Sequence, residues 1–308
     1  MNLQDKQIVV TGGAGFIGSH LVDRLVADND VLVVDDGSNG SREWVHDDAE
    51  FVDGDLTDTA VVADAITAET DLVVHLAASK LVDTDTPRRQ FDDNSEITYN
   101  VLERMDAVGV EKLVFTSSST VYGEAPRPTP EDYAPLEPIS VYGATKLAEE
   151  SLISTYAHSH DLQSWVFRFA NIVGPRLRGA VIPDFVEKLR EDSDSLTILG
   201  DGRQEKSYMH VSECIDAMEY AVAHADGDHN VFNLGTRTTT SVDRIADIVA
   251  DEMGVDPDYE HTGGDRGWTG DVPRMRLSIE KLAGLGWEPE QSSDDAVRQS
   301  ARELIDEL

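Results

Sequence analysis

Tyr142 and Lys146 stand four residues apart in VYGATK, a spacing that puts a phenol and an ammonium on one face of a helix. Such a pair can move a proton to and from an alcohol. A free phenol ionises near pH ~10, so acting as a base near neutrality requires roughly 4 kcal/mol of preferential phenolate stabilisation, which a neighbouring cation supplies. A second stretch, TGGAGFIG over 11–18, has the small residues that let a backbone approach a pyrophosphate. A third, FTSSSTVYG over 115–123, gathers hydroxyls, of which Ser118 is placed to bridge a substrate hydroxyl and Tyr142. Each motif alone is weak, since glycine clusters are usually turns and Tyr-x-x-x-Lys arises by chance on many helices. Together they describe hydride and proton removal from a carbon bearing a hydroxyl.

The elements that must position these groups alternate. Short β-branched runs at Gln7 to Thr11, Val31 to Asp35, Glu50 to Val52, Leu72 to Leu76, Lys112 to Ser117 and Ser164 to Arg168 read as buried strands. Helical periodicity fills Gly15 to Ala27, Thr59 to Ala68, Asp93 to Val108 and Val141 to Ser159. The alternation predicts an α/β fold, a doubly wound parallel sheet of the Rossmann kind, with ligands at the carboxyl ends of its strands. Beyond Arg168 the pattern loosens into loops, with helices expected at Asp184 to Arg190, Ser212 to His224 and Val242 to Met253. The expected organisation is a cofactor domain over 1–170 and a smaller, interleaved C-terminal substrate domain over 171–308, with a stretch near 205–240 returning to the first.

Composition narrows the function. Sixty acidic against 25 basic side chains give a formal charge of −35, which argues against nucleic acid or an anionic membrane as partner. The acidic excess is spread along the chain and not gathered in a tail, so it reads as a solvated surface adapted to high salt, where screening acts within roughly 3 Å at 1 M. The lone cysteine, Cys214, excludes an intramolecular disulfide and reads as a small buried hydrophobe. The start, MNLQDKQIVV, has no basic segment followed by an apolar stretch, and no run approaches the ~18 residues of a membrane span. A cytoplasmic protein is expected. No Cys/His spacing suggests a metal.

The strand IVVT runs directly into the glycine turn and then an apolar-periodic helix, the context in which the turn binds a dinucleotide. The next strand ends in Asp35-Asp36, where a carboxylate accepts the ribose 2′-OH and repels a 2′-phosphate, so NAD is favoured over NADP. Arg42 reads as solvent-facing, and His75, at the end of an apolar strand, as a structural histidine.

Ordered along nearly the whole chain, TGGAGFIGSHL, GDL at 54–56, HLAA, SSSTVYG, YGATK, RFANIVGP, GDGRQEKSYMHV, FNLGT, GDVPRM and LGWEP resemble the extended short-chain dehydrogenase/reductase family. The similarity is greatest to its nucleotide-sugar epimerases and dehydratases, UDP-glucose 4-epimerase among them. The resemblance implies that Gly12, Gly15, Phe16 and Ile17 meet the pyrophosphate of NAD, Asp35, Asp36 and Asn39 the adenosine ribose, and Asp55 and Leu56 the adenine. It further implies that Leu76, Ala77, Ala78 and Lys80 follow the cofactor to the nicotinamide, with Asn94, Tyr142 and Lys146 beside it. Ser118, Tyr142 and Lys146 are the implied catalytic group. Ser118, Asn171, Val181, Lys206, Arg266 and Met275 are the implied contacts of a UDP-sugar. Tyr142 would take the proton of the 4-OH while NAD takes the C4 hydride, and the keto sugar would turn and be reduced on its other face. Relatives pair as homodimers through the helices near 93–108 and 141–159.

Departures from the family pattern refine this. Dehydratases carry an acid beside the serine or threonine of the third motif; here Ser119 and Thr120 stand there, which favours epimerisation over elimination. Lys206 replaces an arginine at the phosphate, a point charge in place of a fork. Ala180 replaces an asparagine before Val181, and Trp268 displaces a basic residue, leaving Arg266 or Arg176 for the diphosphate. Met275 stands where room for an N-acetyl group is set. The expected activity is a UDP-glucose/UDP-galactose 4-epimerase. An NAD-dependent sugar or nucleotide-sugar dehydrogenase is the alternative, followed by a 4,6-dehydratase or a non-catalytic NAD sensor.

Overall fold

The computed structural model describes residues 1–79, 86–267 and 270–308. In chain order the elements are β1 (Gln7–Thr11), α1 (Phe16–Leu25), β2 (Asp30–Asp35), β3 (Glu50–Asp53), α2 (Thr59–Ala65), β4 (Leu72–His75), α3 (Pro87–Val108), β5 (Lys112–Ser118), α4 (Val141–Ser159), β6 (Gln163–Phe169), β7 (Asn171–Val173) and α5 (Val181–Glu191). There follow β8 (Ser195–Ile198), β9 (Glu205–Lys206), β10 (Tyr208–His210), α6 (Val211–His224), β11 (His229–Leu234), β12 (Thr240–Ser241), α7 (Val242–Met253), β13 (Asp258–His261), β14 (Arg274–Met275), α8 (Glu280–Leu285) and α9 (Ser293–Glu307).

The chain divides into two compact units. The first holds Met1–Val121, Ser140–Arg168 and Met218–Phe232, and the second Tyr122–Ile139, Phe169–Ala217 and Asn233–Leu308. Against the expected division at residue 170, the stretch 122–139 clusters with the second unit, and the return to the first covers 218–232 instead of about 205–240.

A seven-stranded sheet in the order β11-β6-β5-β4-β1-β2-β3 dominates the first unit. It is parallel where β1 meets β2 and β4, where β2 meets β3 and where β4 meets β5. Central strands carry apolar side chains on both faces because helices cover both: Ile8, Val9 and Val10 of β1 and all of β4 are buried. Val101, Leu102 and Met105 of α3 and Ile153 of α4 pack with Val73, Leu113 and Phe115 in one cluster. Each such side chain contributes roughly 1.5–3 kcal/mol on burial. The seventh strand, β11, is not anticipated by the sequence pattern, and α3 begins at Pro87, before the expected Asp93.

In the second unit β7 pairs in parallel with β10, β8 with β13, and β9 with β14, while β12 joins β9 antiparallel. Helices α5, α7 and α9 turn apolar faces inward through Phe185 and Leu189, Ile245 and Val249, and Val297 and Leu304. Helix α9, absent from the sequence expectations, starts at a reciprocal cap between Ser292 and Asp295.

Candidate functional site

Strand order reverses at β1, which has β2 on one side and β4 on the other, so the ligand crevice opens beyond the carboxyl ends of β1 and β4. Gly12 lies there at φ 71, with no room for a side chain: a Cβ would sit 2.7 Å from the Ala77 backbone nitrogen. Gly18 presses equally close to the Gly12 carbonyl, holding α1 down on the turn. Gly15 caps α1 without a side-chain bond, and only the Gly12 oxygen, at 3.2 Å, would neighbour its Cβ. The first-turn N–H groups of Phe16 and Ile17 thus stand at the positive end of the helix dipole, beside an open approach.

Asp35 closes β2 and is buried. Its Oδ2 accepts the Ala14 N–H at 3.0 Å and its Oδ1 the Gly37 N–H at 2.8 Å, which leaves each oxygen a second lone pair for a hydroxyl. Burial lifts this carboxyl above its ordinary range, and the two amides oppose the lift. Asp36 is exposed and binds the Ser38 N–H, and Asn39 reaches the Ser38 hydroxyl. Asp55 is exposed and accepts the Thr57 N–H, whereas the Leu56 side chain is core and its carbonyl accepts from Asn100. Leu76 and Ala77 follow β4 with N–H groups bonded to Thr11, and Ala78 lies just beyond. Asn94 is fully buried and spends its amide on both backbone groups of Ser79, at 2.7 and 3.0 Å; it holds the segment after β4 in place. Lys80 lies outside the described residues.

Helix α4 is started by Ser140, whose hydroxyl accepts the Gly143 N–H at 3.1 Å. That cap puts the half-buried Tyr142 in the first turn and Lys146 one turn on. Lys146 is only 2% exposed, and its Nζ sits 4.6 Å above the Phe115 ring and 3.3 Å from Glu149 Oε2. Burial, then the charge of Glu149, pushes the Tyr142 phenol above its ordinary range. Without further positive charge it keeps its proton at neutral pH. Ser118 ends β5 and accepts the Thr120 N–H at 3.2 Å, so its own O–H is left to donate. The Thr120 hydroxyl, noted in the sequence only for standing where relatives carry an acid, is buried without a hydrogen-bond partner. His75 is buried with both ring nitrogens bonded, to Thr11 and Thr98, and is pushed down to about 3 by burial and by Lys146; it is neutral, in line with its structural reading. Arg42 stacks its guanidinium on Phe51, and Cys214 is buried on α6.

All five remaining candidates lie in the second unit, which brings four of them together. Lys206 and Met275 are register partners on β9 and β14. Lys206 Nζ bonds Asp271 Oδ1 at 2.5 Å, and Arg266 donates to the Asp271 carbonyl at 2.5 Å and to the Glu124 carboxylate. The Gly267 N–H donates to Asp271 Oδ2 at 3.1 Å. Asn171 bonds Ser207, next to Lys206. Asp271, only a landmark in the sequence, is therefore the group around which both cations gather. Val181 stands apart from them as the first residue of α5, whose cap Ala180 offers no side-chain bond.

The sequence profile of the NAD dependent epimerase/dehydratase family matches residues 8–235. The chain belongs to this family. It is an epimerase-type enzyme, and NAD is its cofactor. A UDP-glucose 4-epimerase of Mycolicibacterium smegmatis is 34% identical over 307 residues, covering 95% of this chain and 96% of that one. A crystal structure of a UDP-galactose 4-epimerase is 42% identical with a TM-score of 0.90, covering 98% of this chain and 99% of the other. The UDP-glucose 4-epimerase of Thermus thermophilus, solved in complex with NAD, is 31% identical with a TM-score of 0.87, covering 97% and 98%.

The residues fit the cofactor. The side-chain-free approach at Gly15, the uncapped start of α1 and the paired lone pairs of Asp35 suit a pyrophosphate and a ribose diol in turn. NAD, when bound, supplies the acceptor and later the donor of hydride. Proton chemistry is left to side chains of the protein.

Proposed function

We propose that this protein is a UDP-glucose/UDP-galactose 4-epimerase, active as a cytoplasmic homodimer in high salt. The observation that carries the reading is the Tyr142/Lys146 turn at the start of α4 together with a β5 end that bears Ser118, Ser119 and Thr120 and no carboxyl group. Tyr142 takes the proton of the sugar 4-OH and returns it. Ser118 donates to the same oxygen, and the unpartnered Thr120 hydroxyl is suited to a sugar oxygen. Elimination would need a proton donor for the leaving group, and serine and threonine are poor ones. Lys206 and Arg266 are the cations proposed for the UDP diphosphate, with Asn171 and Val181 lining its path. Met275 bounds the sugar pocket with a flexible side chain. Firm hold on the nucleotide with few fixed contacts to the sugar lets the keto intermediate turn while remote binding energy retains it.

The deciding experiment separates the sugar products formed from UDP-glucose in molar salt while NADH absorbance is followed. UDP-galactose without net NADH supports the epimerase, stoichiometric NADH means a dehydrogenase, and no turnover of UDP-, dTDP- or GDP-sugars overturns the reading.

For the dimer, support comes from α3 and α4, which pack together and leave Phe91, Tyr99 and Val141 exposed. Such apolar side chains suit a surface that pairs with a second copy. Sedimentation in molar salt is expected to give twice the chain mass, and a monomer would remove the proposal.

A further inference from the structure

Motif and mechanism leave unused a buried acid beside Lys146. Glu149 lies one turn from Lys146 on α4, with its side chain 0% exposed. Its Oε2 faces Lys146 Nζ at 3.3 Å, and its Oε1 accepts the Thr98 hydroxyl of α3 at 2.6 Å. Behind Thr98 stands His75 of β4, 3.1 Å away through Nε2, and behind that Thr11 of β1, 2.7 Å from Nδ1. Thr11 Oγ1 in turn accepts the Ala77 N–H at 3.3 Å. Because Thr11 accepts at that end and Thr98 donates at the other, one donor direction runs through the whole chain: Ala77 N–H to Thr11, Thr11 to His75 Nδ1, His75 Nε2–H to Thr98, and Thr98 to Glu149. Side chains of three elements, β1, β4 and α3, thus form one chain of donors that ends at this carboxylate through Thr98.

The other charges around Glu149 are accounted for. Glu150, its neighbour on α4, is held by a fork from Arg168 of β6 at 2.7 and 3.0 Å and by the Ser117 hydroxyl of β5 at 2.5 Å. Phe115 of β5 presents only a ring to Lys146. Tyr142, on the same helix, is the remaining titratable group, and the charge of Glu149 reaches it.

We propose that Glu149 is a positioning residue for the base: it fixes the Lys146 ammonium and offsets its charge at Tyr142, so that the phenol ionises at higher pH than the Tyr/Lys pair alone would set. The proposal rests on Tyr142 being the base. Opposing forces act on the carboxyl itself. Burial raises it, while Lys146 and the Thr98 hydroxyl favour the charged form.

The test is the ultraviolet absorbance of the Tyr142 phenolate in the NAD-loaded enzyme as pH is raised, with Tyr142→Phe as the blank. Glu149→Gln keeps the shape and removes the charge. Its phenolate midpoint is expected about 1 pH unit or more below wild type, with the acid limb of the kcat/KM profile moving alongside. Thr98→Val removes a donor that favours the carboxylate, and a smaller shift in the same direction is expected; it carries the test if Glu149→Gln does not fold. Coincident midpoints in wild type and variant, or an upward shift, overturn the proposal. Turnover retained by Tyr142→Phe would instead refute the reading of the base, a separate outcome.

Discussion

Each unit of this chain sets a lysine beside a carboxylate, and the two pairs are built for different ends. In the first unit Lys146 and Glu149 are both dry, on one helix, and braced by side chains from α3, β4 and β1. In the second, Lys206 stays 13% exposed, and its partner Asp271 is fixed largely by backbone, through the Gly267 N–H and the Arg266 bond to its carbonyl. A pair with no water has a fixed field, suited to tuning one neighbouring proton. A pair open on one side can exchange its carboxylate for an incoming anion. Under the roles proposed for the two pairs, burial, more than the identity of the charges, separates a tuning element from a binding one.

Substitutions can break this contrast. The largest effect is expected from Tyr142→Phe, which removes the group the dry pair tunes: turnover should fall about 10²–10⁴-fold while bound NAD, measured after extraction, stays stoichiometric. Retained turnover would show that the dry pair serves packing alone. Lys206→Met should act on the other region through binding, raising KM for the UDP-sugar roughly tenfold to a hundredfold with kcat little changed, as for loss of a charge-assisted hydrogen bond. A fall in kcat with KM constant would contradict the division. The smallest effect concerns neither pair. With a formal charge of −35, the surface should repel itself in dilute buffer, and dilution from molar salt should lower Tm by several degrees at about 2–4 °C per kcal/mol. An unchanged Tm would remove the salt adaptation.

Much of the cofactor unit is legible because its strands announce themselves. Residues 8–10, 72–74 and 113–115 are unbroken apolar runs, and the glycine turn between β1 and α1 has a spacing that few other structures need. Strand β11 escapes sequence reading because HNVFNL is broken by asparagines whose partners come mostly from distant segments, Asn230 bonding the Ser164 and Gly227 carbonyls and Asn233 those of Thr129 and Ser278. Helix α9 is hidden by charge, although the Ser292/Asp295 spacing is a readable cap. At the site, Tyr142, Lys146, Ser118 and Asp35 can be named from type and spacing. Glu149 cannot, since an acid on a helix reads as solvated until topology brings Thr98 and His75 against it. Asp271 is invisible for the same reason: the lysine that meets its carboxylate, Lys206, comes from a distant segment.

Asp35 carries a last implication, for redesign. Its two oxygens tie the turn at Ala14 to the loop at Gly37, so the side chain proposed to discriminate between the coenzymes is also a joist of the floor they would rest on. Replacing it to admit a phosphorylated ribose would unfasten the glycine turn at the same stroke. Coenzyme preference in this scaffold is therefore to be altered by transplanting the whole segment from Asp35 through Ser41, with its own bracing, and not by exchanging one residue.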